Sequence, residues 1–353
     1  CGLVQLLHPV PAEELRPRYD WITYKEPEGH LDRLADVLKS LPELGPDSVF
    51  AGVSFKDDSL LARMRDHGFR RTWRIHPRDD LDIREANAGV ETIQDRLTET
   101  SAESMVARRG RADVVIARHI LEHAQNMSGF LGALSSLLQS EGYLVVEVPD
   151  CLRALESRDY ATLWEEHIAY FTPETFQRGL KAAHFDLVRY EGYPYPFENS
   201  LVAIVKFTPD SAVLPMETDS LNQEKTRGLW FASGLSERKT QVRKALAEYR
   251  RNDARIAMFG AGHMACTFIN ILGLKDLIDI VIDDNPARQR LYMPGSRLPI
   301  GPSSELCGEG MNLCLMSLSP ESEDKVIAAN REFIGRGGVF KSIVPASRYA
   351  FRV

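Results

Sequence analysis

The sequence predicts an α/β protein made of two doubly wound domains, each with a mostly parallel sheet between helices. Its 353 residues are too many for one ordinary core, because a domain averages about 150 residues. Short apolar runs alternate with amphipathic stretches from about residue 47, and they do so again after about residue 252. Strand, helix and strand at this spacing are typical of parallel strands joined by crossover helices.

The first half of the chain is predicted to hold an N-terminal arm and one complete domain. Residues 1–45 form the arm, which ends in a helix because apolar residues from Leu31 to Leu41 fall on one face. Residues 46–208 form the domain, with an insertion at 151–199. Its predicted strands are 48–54, 71–77, 90–94, 113–117, 143–149 and 200–207, and its predicted helices are 60–69 and 130–142, the latter ended by Gly142.

The second half is predicted to begin with a connection and to end in a Rossmann-like domain. Residues 209–225 are rich in Pro, Ser, Thr and acidic residues, as a linker would be, and a long helix is expected at 226–251. Residues 252–353 then run as strand, glycine turn and helix, followed by strands near 279–283, 313–318 and 339–345.

Composition excludes several classes of partner. The net charge of −7 argues against nucleic acid, whose phosphates are bound by clustered Lys and Arg. No run approaches the roughly 18 apolar residues needed to span a bilayer, and no signal peptide is evident, so we expect a cytoplasmic protein. The five cysteines form no C-x-x-C pair, and we interpret them as free thiols.

The second domain carries the clearer glycine turn. Gly260 and Gly262 fit the pattern G-x-G-x-x-A between a strand and a helix, and Asp283 ends the next strand. That spacing favours dinucleotide binding, with the acid near a ribose. The alternative is that the glycines only permit a tight turn and close helix packing.

Residues 160–171 carry the densest set of chemically active side chains. Glu166 and His167 stand beside Tyr160 and Tyr170, and apolar walls of this kind shift pKa values toward neutrality. A histidine there is suited to act as general base, with the carboxylate orienting it. The alternative is a structural histidine in an aromatic cluster.

A second histidine pair, His119 and His123 with Glu122 between them, has the spacing of a helical metal pair. No third ligand is evident from the sequence. We therefore expect no bound metal, with one histidine facing a cofactor and the other packed.

Several segments in order resemble the nucleotide-sugar C-methyltransferases that act on 4-keto-deoxy sugars. They are CGLVQL, RHILEHAQNMSGFLGALSSLLQSEGYLVVEVPD, WEEHIAYFTPETF, FGAGHMACTFINILG, DDNPARQRLYMPGSRLPI and GGVFKSIVP, and together they cover nearly the whole chain. The resemblance implies a class I methyltransferase domain that uses S-adenosylmethionine, followed by a Rossmann-like domain that helps to hold a sugar nucleotide. In the family a zinc module comes first, and Cys1 stands where its last cysteine would be.

The resemblance also implies where the cofactor is held. The expected positions follow the first two strands and the later strand ends, and they are Gly52, Ser54, Asp57, His76, Gln94, Arg118 and His119. The chain departs from the family pattern here, since Gly52 stands almost alone and His76 occupies the place of a ribose-binding acid.

The family's EHxxY segment carries the base and its partner, which implies catalytic roles for Glu166, His167 and Tyr170. The base would remove a proton next to the sugar ketone, and the enolate would attack the methyl group on sulfur. Substrate contacts are expected from Tyr160, Glu198, Asn199, Gly260, Gly262, His263 and Asp283. Glu198 and Asn199 replace a glycine-rich segment of the family, and His263 replaces an alanine.

Two other functions remain open at this point. The altered first glycine turn is compatible with a domain that no longer methylates and performs cofactor-free proton transfer, such as epimerisation. A nucleotide-binding role centred on Gly260, Gly262 and Asp283 is the other. All three predict a small-molecule substrate, with no nucleic acid and no membrane, and none indicates an oligomeric state.

Overall fold

The computed structural model describes residues 1–16, 26–85, 87–212 and 217–352. The chain forms two compact units, one from residues 1–152 and 165–225 and the other from residues 153–164 and 226–353. Each unit contains a sheet with helices, so the predicted α/β class is confirmed. Among the described helices, none is both long and apolar enough to cross a membrane.

The first unit is organised around a six-stranded sheet of order β3-β2-β4-β5-β8-β7. All neighbours pair in parallel except β8, which runs antiparallel to both β5 and β7. A separate two-stranded antiparallel sheet joins β1 to β6. The strands are β1 Val4–Gln5, β2 Val49–Gly52, β3 Arg71–Arg74, β4 Ala112–Arg118, β5 Leu138–Pro149, β6 Ala169–Tyr170, β7 Phe185–Tyr193 and β8 Ser200–Phe207.

Helices cover both faces of this sheet. Successive residues of a strand point to opposite faces, so Val114 and Ile116 pack on one side while Val115 and Ala117 pack on the other. Burial on both sides explains why these strands are continuous apolar runs. The helices of this unit are α1 Leu31–Lys39, α2 Asp58–Asp66, α3 Pro77–Leu81, α4 Val90–Arg96, α5 Glu99–Arg109, α6 Met127–Leu137 and α8 Pro173–Ala182. Two further helices, α7 Leu152–Ser157 and α9 Thr218–Ser233, begin in this unit and end in residues of the second.

The second unit has a five-stranded, wholly parallel sheet of order β11-β10-β9-β12-β13. Its strands are β9 Arg255–Phe259, β10 Ile280–Ile282, β11 Ile300–Gly301, β12 Met311–Met316 and β13 Val339–Ser342. Its remaining helices are α10 Leu235–Tyr249, α11 His263–Ile271, α12 Pro320–Ala329 and α13 Arg331–Gly335. The segment 153–164, predicted as part of the insertion in the first domain, belongs to this compact unit.

Three local predictions were wrong. Residues 90–94 form helix α4 rather than a strand, because Val90, Ile93 and Leu97 are buried at helical spacing. Helix α6 ends at Leu137, and Gly142 lies inside β5, where a Cβ would stand only 3.1 Å from the carbonyl oxygen of Asp113. The predicted linker is already helical from Thr218, and the long helix is interrupted at Gly234.

Candidate active site

The candidate site lies at the carboxyl ends of β2, β4 and β5, the edge where parallel sheets bind ligands. Asp57, in the turn after β2, ties two of these strand ends together. Its Oδ2 accepts hydrogen bonds from the backbone N–H groups of Val53 and Ser54, each at 2.8 Å. Its Oδ1 accepts from the N–H of Arg118 at 2.9 Å. Burial raises the pKa of Asp57 to about 7 against the effect of these bonds and of Arg118.

The glycine turn after β2 is filled by the chain's own side chains. A Cβ on Gly52 would stand 2.9 Å from Leu61 Cδ1 and 3.0 Å from Asp57 Cβ. Ser54 accepts a hydrogen bond from the backbone of Lys56 and caps the short 3₁₀ turn that leads into α2. The predicted cofactor residues Gly52, Ser54 and Asp57 therefore lie together, and each has a structural role of its own.

Glu147, on β5, is the centre of a buried ionic network that sequence analysis did not single out. It accepts hydrogen bonds from Arg118 Nε at 2.5 Å, His119 Nε2 at 3.0 Å and Ser200 Oγ at 2.8 Å. His30 Nε2 lies 3.1 Å away. The sequence did offer a signal, since Glu147 is the one acid inside the apolar strand YLVVEVP. A carboxylate in a strand that is buried on both faces needs cationic or hydrogen-bonding partners.

Charged neighbours in this network shift the pKa values of Glu147 and His119 in opposite directions. Burial would raise the pKa of Glu147, but His119, His30 and Arg118 outweigh it and hold that pKa well below its usual range. Burial would likewise lower the pKa of His119, but the carboxylates of Glu26, Glu147 and Glu122 raise it well above its usual range. These carboxylates favour the protonated form of His119, whose backbone is left-handed with φ 48°.

His76 and Gln94, the two other predicted cofactor residues, lie at the start of α3 and on α4. His76 follows β3 and is exposed, and its Nδ1 accepts from the backbone N–H of Asp79 at the start of α3. Gln94 is buried on α4, where its amide donates to the carbonyl of Glu91 and accepts from the N–H of Gln125. Both side chains serve local structure.

The predicted catalytic residues come together beside His123. The imidazole rings of His123 and His167 meet edge to face with centroids 4.7 Å apart, and the His167 and Tyr170 rings are 6.3 Å apart. His123 Nδ1 also lies 3.3 Å from Glu91 Oε1. Burial, together with Glu91 and Glu165, raises the pKa of Glu166 to about 8.

Glu198 and Asn199 lie on the segment that enters β8. Burial, followed by the neighbouring Glu26, raises the pKa of Glu198 to about 8 although His119 opposes the shift. Asn199 donates to Asp150 Oδ2 at 3.1 Å and accepts from the N–H of Tyr195. Asn199 therefore links Asp150, directly after β5, to Tyr195 in the loop that precedes β8.

The remaining predicted substrate residues belong to the second unit. The Tyr160 hydroxyl donates to the carbonyl of Phe231 at 2.6 Å, and His263 stacks on Trp164 with ring centroids 3.8 Å apart. Gly260 adopts φ 99°, which favours glycine, whereas a Cβ on Gly262 would meet no atom within 4 Å.

Asp283 closes the second glycine turn rather than facing outward. Its carboxylate accepts hydrogen bonds from the backbone N–H groups of Ala261 and Asn285, each at 2.9 Å, and from Arg288 at 3.0 Å. These contacts are those of a structural acid. Packing of the turn, the alternative given in the sequence analysis, explains the position of Asp283 without a bound ribose.

Comparison with known proteins identifies the reaction class. Residues 57–190 match a family model described as a methyltransferase domain, and residues 211–345 match one described as a C-methyltransferase C-terminal domain. The chain is 23% identical to the C-methyltransferase NovU of Streptomyces niveus. The alignment is 363 positions long and covers 99% of this chain and 85% of NovU. The chain is therefore a methyltransferase, and its C-terminal part is similar to that of C-methyltransferases. Its predicted resemblance to C-methyltransferases is confirmed.

Solved methyltransferases resemble about half of this chain. The 1,6-didemethyltoxoflavin N1-methyltransferase of Burkholderia thailandensis is 15% identical, with 51% of this chain and 79% of that chain covered and a TM-score of 0.35. The magnesium protoporphyrin IX methyltransferase of Synechocystis is 16% identical, with 50% and 81% covered and a TM-score of 0.34. At these scores the likeness adds nothing to the fold described above.

The first unit has a pocket whose chemistry fits S-adenosylmethionine. A cavity of about 520 Å³ at the ends of β2 and β4 is lined by Glu26, Glu28, Phe55, Lys56, Asp58, Ser59 and Arg118. Arg118 Nη2 is buried and lacks a hydrogen-bond acceptor among the residues described. A cofactor with a carboxylate, an ammonium and a sulfonium would meet one guanidinium and several carboxylates here, so the residues present fit S-adenosylmethionine.

Proposed function

We propose that the enzyme methylates a carbon next to the ketone of a keto-sugar nucleotide, or of a related small metabolite, with His167 as general base. The observation that carries this proposal is the contact of His167 with His123 and Tyr170 beside Glu166. The resemblance of EEHIAYF to the family's EHxxY segment supports the same assignment.

Geometry favours His167 over His119 and His123. His119 bonds Glu147 through Nε2, and its Nδ1 lies 3.7 Å from carboxylate oxygens of Glu26 and Glu122. Both of its ring nitrogens therefore face anions, which stabilise the protonated ring and leave no site to accept a proton. His123 is only 6% exposed, whereas His167 is partly exposed.

The proposed step removes the proton from the carbon beside the ketone. The C–H electron pair moves into the enolate, the proton goes to a ring nitrogen of His167, and we assign to Glu166 the role of orienting that ring. We assign to Tyr170 the hydrogen bond donated to the enolate oxygen. With the cofactor bound, the enolate carbon would form a bond to its methyl group while the methyl–sulfur bond breaks, and the electron pair of that bond would stay on sulfur as S-adenosylhomocysteine leaves.

The cofactor, when bound, supplies a methyl group already activated on a sulfonium. We assign its amino-acid end to the pocket at β2 and β4, with the carboxylate toward Arg118 and the ammonium toward Glu26 and Glu28. The protein's own contribution is then the base and the alignment of substrate and methyl group.

A solvent-exchange experiment tests the base separately from methyl transfer. The enzyme would be incubated in D₂O with a nucleoside-diphosphate 4-keto-deoxy sugar and S-adenosylhomocysteine, so that no methyl group is available. We expect deuterium to enter the carbon next to the ketone and His167→Ala to lose this exchange by about 10²- to 10⁴-fold, the usual contribution of a general base.

The control is His67→Ala, which removes a histidine at the end of α2 that pairs with Asp36 away from the site. It should exchange like the unmodified enzyme. If His167→Ala exchanges deuterium as fast as this control while S-adenosylhomocysteine still binds, His167 is not the base.

A further inference from the structure

Two sets of potential metal ligands share His123 in the first unit. Glu122, His123 and His167 each offer a donor atom, and these atoms lie within 4.8 Å of one another. Glu91, His123 and Glu166 satisfy the same limit. We propose that the first set binds one divalent transition-metal ion, with Zn²⁺ preferred, at a site formed by Glu122, His123 and His167.

Buried atoms without hydrogen bonds point to a missing cation. Glu122 is 1% exposed, yet its Oε2 has no hydrogen-bond donor among the residues described. His123 is 6% exposed, and its Nδ1 makes no hydrogen bond of acceptable geometry, although Glu91 is near. A buried carboxylate oxygen without a partner costs free energy, which a metal–oxygen bond would recover.

The backbone brings the three ligands together before any metal arrives. Glu122 and His123 are adjacent on the 3₁₀ turn Leu121–His123, and the N–H of Ile168 donates to the carbonyl of Glu122 at 2.7 Å. This bond fixes the residue after His167 against the turn. The side chains alone have to move to complete the site.

The movement required is small. Zinc bonds of about 2.1 Å to nitrogen and oxygen place tetrahedral ligands about 3.4 Å apart, so donors at most 4.8 Å apart close by up to ~1.4 Å. Two imidazoles and one carboxylate form a ligand set that suits Zn²⁺ and leaves a fourth position open. The Glu91 and Glu166 set contains one imidazole and is the poorer match for zinc.

Metal binding at this site would compete with the proposed base. A ring nitrogen of His167 bound to Zn²⁺ has no lone pair for a substrate proton. This consequence rests on the proposed function, and it predicts that Zn²⁺ inhibits proton exchange and that a chelator restores it. Metal binding itself can be measured without any turnover.

Titration with Co²⁺ tests the site directly. The full chain, stripped with EDTA, would be titrated with Co²⁺ while visible absorption is recorded, and Zn²⁺ would then displace it. We expect one equivalent per chain with bands typical of nitrogen and oxygen ligands, and no thiolate charge-transfer band from the five cysteines. Glu122→Gln and His167→Ala should each weaken Zn²⁺ binding by at least about 10- to 100-fold.

Glu165→Gln is the matched control, because Glu165 is an exposed neighbour outside both ligand sets. It should bind Co²⁺ like the unmodified chain, and circular dichroism would establish that every variant is folded. The proposal is wrong if folded enzyme takes up no Co²⁺, if the spectrum shows thiolate ligation, or if Glu91→Gln and Glu166→Gln abolish binding while His167→Ala does not. Unchanged deuterium exchange in the His167→Ala enzyme would contradict the role of His167 as base. It would not contradict the metal site, which the Co²⁺ titration tests separately.

Discussion

The residue that organises the site is Glu147, which lies in the family-like segment ending EVPD but is not among the predicted site residues. Its carboxylate is fully buried and is satisfied by Arg118, His119 and Ser200, with His30 close by. The sequence indicates that such an acid needs partners, but the partners come from distant segments that only the fold brings together. A buried charge of this kind stabilises a protein only while all its partners are present.

Replacing Glu147 should therefore be costly. Glu147→Gln removes the closest counter-charge of the buried Arg118 and His119, and we expect a loss of about 3–5 kcal/mol in the free energy of unfolding. Urea unfolding monitored by circular dichroism would measure it. The control Glu141→Gln alters an exposed acid on the same strand, paired with Lys206, and should cost about 0–1 kcal/mol.

The pH dependence of that contribution has a definite sign. The pKa of Glu147 is depressed in the folded enzyme, so its stabilisation is present above its ordinary value of 4.5 and is lost as the pH falls through the folded value. The stability gap between Glu147→Gln and the unmodified enzyme should narrow in acid. A gap that stays constant from pH 7 to pH 3 would contradict this assignment.

Glu198 should behave in the opposite way. Its pKa is raised to about 8, so the folded enzyme keeps a proton there that the unfolded chain releases above its ordinary value of 4.5. The residue therefore costs stability increasingly between pH 4.5 and about 8. Glu198→Gln should raise the melting temperature at pH 8.5 more than at pH 5, as measured by calorimetry, and equal shifts at both pH values would count against it.

At the scale of elements, the turn after β2 shows what a glycine motif can and cannot predict. The sequence places Gly52 correctly at the end of a strand, but the turn is packed by Leu61 and Asp57. The pattern cannot distinguish a glycine that admits a ligand from one that admits a neighbouring side chain. The same ambiguity explains Gly142, which sits inside a strand rather than ending a helix.

Gly52→Ala tests the packing role. The new Cβ would contact Leu61 and Asp57 at about 3 Å, and we expect a loss of about 1–3 kcal/mol of stability from overpacking. Gly45→Ala adds a methyl group where no atom lies within 4 Å and should change stability by less than about 0.5 kcal/mol. Equal thermal stability of the two variants would show that the turn is looser than described.

The histidine cluster shows a different limit of pattern reasoning. The spacing of His119 and His123 suggested a helical pair, but residues 121–123 form a 3₁₀ turn and His119 has a left-handed backbone. Helical spacing therefore does not apply there. The partner of His123 is His167, which lies far away in the sequence and reaches it because the backbone of Ile168 bonds that of Glu122.

At the scale of the whole molecule, the presence of two glycine turns does not imply that both units bind a nucleotide in the same way. The periodicity of apolar runs predicts both sheets, since that signal depends only on which side chains are buried. In the second unit Asp283 is already bonded to Ala261, Asn285 and Arg288, and in the first unit the pocket beside Arg118 is lined by carboxylates. We expect the cofactor to bind in the first unit only.

Calorimetric titration with S-adenosylhomocysteine tests this account most directly, because methyl transfer requires the cofactor and the first glycine turn is atypical. The account predicts one binding site per chain and markedly weaker binding in Arg118→Met, which keeps side-chain volume but removes the guanidinium. Folding of that variant would be checked by circular dichroism. Absence of binding to the unmodified enzyme at high ligand concentration, or two equivalent sites per chain, would contradict it.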